Sequence, residues 1–300
     1  MFSILIPTYN NIEYLKVCLE SLKKNSKYDH QIIIHINEGT DGSLEFVKNN
    51  NLNYTYSKEN IGMPKALNQS SKLAVFDYIL ISHDDFYFCP DWDVEFINEL
   101  KNIDHKKFYL SGTMVGAGQV EFDAGDTINN FNETKLLNNI ENIKTYDFQG
   151  TTKCPGLIHK DTWNDLGGWS EEFSPTGGDD TDFAMKLWNY DVRIFKGLGK
   201  SLVYHFGSIT TRKKHKSLFT YLGSRGNKIF LLKWGFSINF FEKFYLQSGL
   251  DKNKKLIFNE FKNPLVTPIK NLSFYFELIL NKFLLLYVSF NKRKYIKKNN

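Results

Sequence analysis

The chain has 300 residues, 42% hydrophobic and 16% aromatic, enough for one large globular domain or a domain with an appendage. Its three cysteines, Cys18, Cys89 and Cys154, are widely spaced and odd in number, which excludes a disulfide framework or a zinc spacing and makes a reducing cytoplasm the expected location. The opening residues carry no basic leader, and no apolar run reaches the ~20 residues of a membrane span, so neither a signal peptide nor a spanning helix is expected.

The net charge of +5 conceals a division. Residues 1–209 carry 19 Lys/Arg against 29 Asp/Glu, a balance of −10, whereas residues 210–300 carry 19 against 4, a balance of +15. Such asymmetry predicts two modules facing different partners, with a boundary near Thr210.

In chain order, Phe2 to Pro7 reads as a short strand stopped by proline, and 8–11 as a loop. Asn11 is placed to cap a helix carrying Leu15, Cys18, Leu19 and Leu22 at helical spacing. Strands over 31–36 and 53–56 alternate with helices carrying Leu44 and Val47, then Ala66 and Leu67. The run Tyr78 to Ser82 is a further strand, and it delivers His83, Asp84 and Asp85 just past its end. Strands alternating with helices predict an α/β fold, Rossmann-like, with a mostly parallel central sheet flanked by helices. Right-handed crossovers then bring the loops after residues 6, 36 and 82 to one edge, so that Thr8, Tyr9, Glu38, Asp84 and Asp85 surround one crevice. There is no Gly-x-Gly-x-x-Gly after the first strand, so a phosphate there needs a metal or side chains. Paired acids at that edge are either hard-oxygen metal ligands or caps of the next helix.

Residues 92–100 predict a helix and 108–110 a strand, while the polar stretch 116–147 predicts a long, weakly structured insertion. A strand over 156–159, a helix with Trp163 and Leu166, and the turn Gly167-Gly168-Trp169 follow. Gly177-Gly178 before Asp179, Asp180 and Asp182 places those acids at a helix amino terminus, where a carboxylate is stabilised whether or not it does chemistry. On that helix Asp179 and Asp182 share a face and Asp180 projects elsewhere. Strands over 192–195 and 201–204 end at His205.

These blocks, in this order, resemble glycosyltransferase family 2, the inverting nucleotide-sugar transferases of GT-A fold, over about residues 1–210. The carriers are Ile4 to Asn10 (ILIPTYN), Asn37 to Ser43 (NEGTDGS), Asn60 to Gly62 with Lys65 to Asn68 (KALN), His83-Asp84-Asp85, Gly167-Gly168-Trp169 and Gly178 to Asp182 (GDDTD). The resemblance implies a nucleotide-sugar half over about 1–110 and an acceptor half over about 111–209. It assigns nucleotide-sugar binding to Pro7, Thr8, Tyr9, Glu38, Lys65 and Asp84, with Glu38 standing where the family has a base-contacting Asp in a turn one residue longer. It assigns a divalent metal, Mn²⁺ or Mg²⁺, to Asp85 and His205, with His83 replacing the first acid of the family's Asp-x-Asp. Asp180 matches the general base, its basicity raised by neighbouring acids, and Trp169 and Asp179 face the acceptor. UDP is the favoured donor nucleotide, with dTDP or GDP open, and the acceptor is a hydroxyl of a glycan or glycoconjugate, as in polysaccharide biosynthesis. Ordinary structural roles stay open for several of these residues: core packing for Trp169, a surface position for Lys65 and a structural histidine for His205. A nucleotidyltransferase or a non-catalytic nucleotide-sugar-binding protein is the alternative reading.

The extension 210–300 reads as helical, basic and aromatic. Runs at Arg212 to Lys216 and Lys292 to Lys298 flank apolar stretches at 227–246 and 272–290. This pattern fits a peripheral membrane surface at the inner face, packing on the catalytic domain, or self-association. No motif points to nucleic acid.

Overall fold

Four apolar runs form the parallel part of the sheet. β1 (Ser3–Tyr9), β2 (Gln31–Asn37), β3 (Asn53–Ser57) and β4 (Tyr78–Ile81) lie in the order β3-β2-β1-β4, with α1 (Ile12–Asn25), α2 (Ser43–Asn49) and α3 (Met63–Ser70) in the connections. Ile4, Leu5, Ile33, Ile34, Leu80 and Ile81 are all buried, as strands covered on both faces require. The structure, a computed structural model, describes residues 1–207, 224–248 and 260–290.

Pro7 does not stop β1, contrary to the expectation from sequence. The strand runs on to Tyr9, paired with Asn37 of β2. Leu5 turns its carbonyl to the β4 side, where it accepts from Ser82 N at 2.9 Å, so Pro7, two residues on, faces the same side. The β1–β4 pairing ends at Leu5, so the N–H that Pro7 lacks has no strand to serve.

The second half folds back on the first. Its elements are β5 (Phe86–Phe88), α4 (Trp92–Leu100), β6 (Phe108–Gly116), α5 (Glu133–Asn139), β7 (Phe148–Gln149), β8 (Gly156–His159), α6 (Lys160–Asp165), α7 (Asp179–Asn189) and β9 (Ile194–His205). From β4 the sheet continues through β8, β6, β9 and β5, with only the β6–β9 pair parallel. The two short strands expected over 192–195 and 201–204 are one strand, which keeps pairing with β6 across a register shift near Ser111. The polar stretch 116–147 is more structured than its composition suggests. Leu136 of α5 is buried with Tyr87, Val115, Tyr204 and Phe206, and Glu133 accepts hydrogen bonds from Lys24 and Tyr87.

The C-terminal helices share the hydrophobic core of the sheet. α8 (Arg225–Trp234), α9 (Ile238–Phe244) and α10 (Leu272–Phe290) contribute Phe230, Phe240, Phe241, Phe244 and Phe274 to the cluster that holds Ile4, Trp92 and Phe183. The core therefore runs across the charge boundary near residue 210. Its polar anchor is Asp182 of α7, fully buried, which accepts from Trp234 Nε1 at 2.8 Å and pairs with Lys233 Nζ at 3.0 Å. Arg225 adds bonds to the carbonyls of Ser174 and Glu172. Gly226 has to be glycine here, because a Cβ would stand 1.6 Å from the Gly177 carbonyl oxygen. The start of α8 is thus pressed onto the loop that introduces α7.

α10 corrects a further expectation. Its 19 residues, with a mean hydropathy of 1.4, are long and apolar enough to cross a membrane by length and composition. Ser273, Glu277, Asn281 and Lys282 interrupt the apolar run, so no unbroken stretch of that length exists, yet the average stays high enough for a span. The basic runs at 212–216 and 292–298 lie outside the described residues.

Because Asp182 is a buried charge satisfied from α8, removing it leaves the Trp234 N–H without its partner and Lys233 to Glu172 and Ser170. Asp182→Ala is expected to lower unfolding stability by about 3 kcal/mol, read from the urea midpoint, whereas Glu141→Ala on the exposed insertion moves it by less than about 0.5 kcal/mol.

Candidate functional site

The carboxyl ends of β1, β2 and β4 open onto a cavity of about 360 Å³. Pro7, Thr8 and Tyr9 line it from β1, Asn37 from β2, His83, Asp84 and Asp85 from the turn after β4, and Pro175 and Thr176 from the far wall. Three of the predicted crevice loops therefore meet, as the crossover argument required. Gly62 and Met63, at the start of α3, complete the rim. Gly62 has a φ of +82°, and a Cβ there would lie 2.5 Å from Pro175 Cα, so this glycine lets the two halves of the molecule close together.

Two of the predicted nucleotide contacts stand elsewhere. Glu38 lies outside the cavity lining, in the left-handed region at φ +61°, where its carboxylate accepts from Asn10 Nδ2 at 3.3 Å. Its neighbour Asn37 faces the cavity instead and is fixed there, accepting from Ile61 N and donating to the Thr8 carbonyl. At this turn the cavity is therefore lined by Asn37 and not by Glu38. Lys65, half-buried in the first turn of α3, is also outside the lining.

Asp84 and Asp85 differ in environment. Burial and the adjacent Asp85 charge push Asp84 up to about 7. Asp85 is buried as well, but His205 and His83 outweigh that cost and hold it below the usual carboxylate range. The reason lies in the sheet: β5 pairs antiparallel with β9 so that Phe86 is opposite His205, which sets His205 Nε2 3.3 Å from Asp85 Oδ2. His205 Nδ1 is 2.6 Å from the Ala117 carbonyl and so must donate to it, leaving Nε2 with no hydrogen-bond partner in the buried site. Burial alone would lower the His205 imidazole, but the adjacent Asp85 carboxylate outweighs that cost and raises it, so Nε2 and Asp85 share a proton or, in its place, a metal cation. His83 stacks on Phe86 at 4.9 Å and brings Nδ1 to 3.8 Å from Asp85 Oδ1. Ligand atoms of His83, Asp85 and His205 all lie within 4.8 Å of one another. The residues present therefore fit a divalent cation, with two imidazoles and a carboxylate. His83, which replaces the first acid of the Asp-x-Asp pattern, thus still brings a ligand atom to the cluster.

Across the cavity, α7 sorts its three acids as helical spacing predicted. Asp179 is buried and closes its own loop, accepting from Gly177 N at 2.9 Å and Thr176 Oγ1 at 3.1 Å, and burial with the Asp180 charge raises it to about 6. Asp182 points into the core. Asp180 turns a different way, to Lys153 Nζ at 2.8 Å and to the backbone N–H of Thr181. Burial alone would raise the Asp180 carboxyl, but the Lys153 charge and hydrogen bond hold it below the ordinary range. That reverses the expected effect of the neighbouring acids, since a paired ammonium at 2.8 Å acts more strongly than carboxylates directed away. Glu242 of α9 joins this group: burial pushes it up to about 7, with Lys153 pulling down and Asp180 pushing up. Neither Lys153 nor Glu242 carried a local signal, being separated from Asp180 by 27 and 62 positions.

Trp169, expected to stack on an acceptor, is 3% exposed and packs against Phe183 at 5.8 Å. It is a core residue here, and its backbone is clamped by Asn68, which accepts from Trp169 N and donates to Trp169 O, both at 2.9 Å. The Asn68 of the KALN block and the Gly-Gly-Trp turn are therefore two ends of one contact.

Residues 3–155 match the sequence family described as Glycosyl transferase family 2. The glycosyltransferase MG025 of Mycoplasma genitalium is 34% identical over 101 residues, covering 30% of this chain and 33% of its own length. The glycosyltransferase RT0329 of Rickettsia typhi is 32% identical over 110 residues, covering 35% and 34%. The chain thus spans about a third of these curated relatives. Among solved structures, S. aureus TarS 1–349 superposes with a TM-score of 0.51 at 18% identity, covering 68% of this chain and 60% of that one. GalNAc-T7, crystallised with UDP, GalNAc and Mn²⁺, gives 0.52 at 13% identity, covering 68% and 43%. At these identities the likeness is one of fold, and it is the GT-A-like fold with its curled, mostly parallel sheet.

The pairing of Asp180 with Lys153 makes a titration prediction. A depressed carboxyl keeps its charge down through the ordinary range, so the pair's contribution to stability is complete above about pH 4 and fades only as pH falls through the lower folded value. Lys153→Met is expected to bring the Asp180 titration up by about one pH unit or more, followed by ¹³C NMR of the side-chain carboxyl.

Proposed function

The chain belongs to glycosyltransferase family 2, and from that premise we propose that it is a metal-assisted, inverting enzyme that moves a sugar from a UDP-sugar to a hydroxyl of a glycan or glycoconjugate. One observation carries this reading. A single crevice holds a nucleotide-sized cavity at the strand ends, a cation-fitting cluster on its floor, and the loop leading to an ionised aspartate on its far wall.

Thr8, Tyr9 and Asn37 form the wall that receives the nucleoside. Asp85 and His205, with His83, are the groups that would hold the cation. When bound, Mn²⁺ or Mg²⁺ neutralises the charge that develops on the departing diphosphate. Two imidazole donors favour Mn²⁺ over Mg²⁺, and GalNAc-T7, of like fold, was crystallised with Mn²⁺ and UDP. Asp180 accepts the acceptor hydroxyl's proton while the new carbon–oxygen bond forms and the bond to the diphosphate breaks. Attack from the side opposite the leaving group inverts the anomeric centre. Lys153 keeps Asp180 ionised before the acceptor arrives, so proton transfer accompanies bond formation rather than preceding it. Asp179 supports this indirectly, by holding the Gly177 turn.

Two measurements test the reading. Asp180→Asn is expected to lower transfer by about 10²–10⁴-fold while UDP affinity by calorimetry stays within about twofold of wild type. Full turnover by that variant would remove Asp180 from the chemistry. Separately, Asp85→Asn and His205→Ala are each expected to weaken Mn²⁺ affinity by roughly tenfold or more, with His83→Ala intermediate, and wild type should prefer Mn²⁺ to Mg²⁺. Unchanged Mn²⁺ binding in Asp85→Asn would place the metal elsewhere.

A further inference from the structure

α10 has two apolar faces. One is spent inside the protein: Phe274 packs between Phe240 at 5.0 Å and Phe244 at 5.3 Å, Asn281 Oδ1 accepts from Ser237 N at 2.6 Å, and Val288 is buried with Leu231 of α8. These contacts run from the first turn to the last. The other face carries Leu272, Phe276, Ile279, Phe283, Leu286 and Phe290, which recur every three or four residues and so form one stripe along the helix. Phe276, Phe283 and Phe290 are 62%, 66% and 89% exposed. A stripe of this length and aromatic content on the outside of a packed helix marks an interaction surface.

We propose that this face lies in the surface of an anionic lipid bilayer, with α10 parallel to the membrane plane. The orientation follows from the inner face. A helix held along its whole length to α8 and α9 cannot cross a hydrocarbon layer of about 30 Å without carrying those helices in, and with them the Lys233–Glu172 and Lys243–Glu277 ion pairs. An in-plane helix needs only its outer stripe immersed. The choice of lipid over a second copy of the chain follows from charge. Residues 210–300 carry 19 Lys/Arg against 4 Asp/Glu, Lys282 is exposed on the helix itself, and Lys292, Arg293, Lys294, Lys297 and Lys298 follow it in sequence. Two such surfaces face to face would bring like charges together, whereas acidic headgroups complement them.

The test uses the full chain and sucrose-gradient flotation with vesicles of phosphatidylcholine, alone or mixed with phosphatidylserine. Wild type is expected to float with the mixed vesicles, at least tenfold more than with phosphatidylcholine, and to be released by high salt. Phe276→Glu with Phe283→Glu, both on the exposed face, should reduce flotation at least tenfold while near-UV circular dichroism stays that of wild type. Replacing Lys292, Arg293 and Lys294 by Gln should remove much of the dependence on phosphatidylserine without altering the core. Equal flotation of wild type and the double variant would overturn the proposal. So would a wild type that does not float but is a dimer by light scattering, with the double variant a monomer; the stripe would then be a self-association face.

Discussion

The antiparallel pairing of β5 with β9 holds the site together. β5 is three residues long, yet it places Phe86 opposite His205 and thereby joins the turn after β4 to the end of the last strand. Every feature of the cation-fitting cluster follows from that register. Asp85 immediately precedes β5, His83 stacks on Phe86, and His205 is locked by the Ala117 carbonyl from the turn that follows β6. Because side chains alternate faces along a strand, a slip of one residue would turn His205 away from Asp85. The insertion after β6, polar and featureless as sequence, thus fixes which nitrogen of His205 is turned to the site.

A second constraint comes from the C-terminal helices. The loop from Ser170 to Asp182 is tied to α8 through Arg225, Lys233 and Trp234, and Gly226 lets the helix start rest on Gly177. Asp182 is a buried charge with its partners supplied from outside its own helix, which makes the position of α7 depend on α8. The orientation of Asp180 depends in turn on α7. The basic extension is therefore part of the structure that orients Asp180, while α10 turns its outer stripe away from that same assembly.

Much of this was legible in the residues themselves. Alternating apolar runs and helical spacings located the parallel sheet, and the crossover rule gathered Thr8, Tyr9, Asp84 and Asp85 at one edge. The spacing of Asp179, Asp180 and Asp182 identified the acid that points differently. What went astray did so where a residue's direction depended on a distant segment. Glu38 sits in the left-handed region and turns to Asn10, while Asn37 takes the cavity wall. Of the two roles open to Trp169, acceptor stacking and core packing, the structure shows the second, with its backbone held by Asn68 a hundred positions away. His83 looked like a lost acid until His205 came beside it. Lys153 and Glu242 left no local trace at all, since a charge partner is defined by distance in space and not along the chain.

The sequence by itself determined the α/β class, the order of its elements, the family and the acids available for chemistry, because these rest on periodicity, turn residues and motif order, all of which are local. The tertiary structure alone decided which of those acids are charged, paired or spent on packing. Burial and the approach of a lysine or an imidazole within a few ångströms shift a carboxyl by more than its own identity does. Those approaches arise from strand register and helix docking, which bring together residues that the chain keeps far apart.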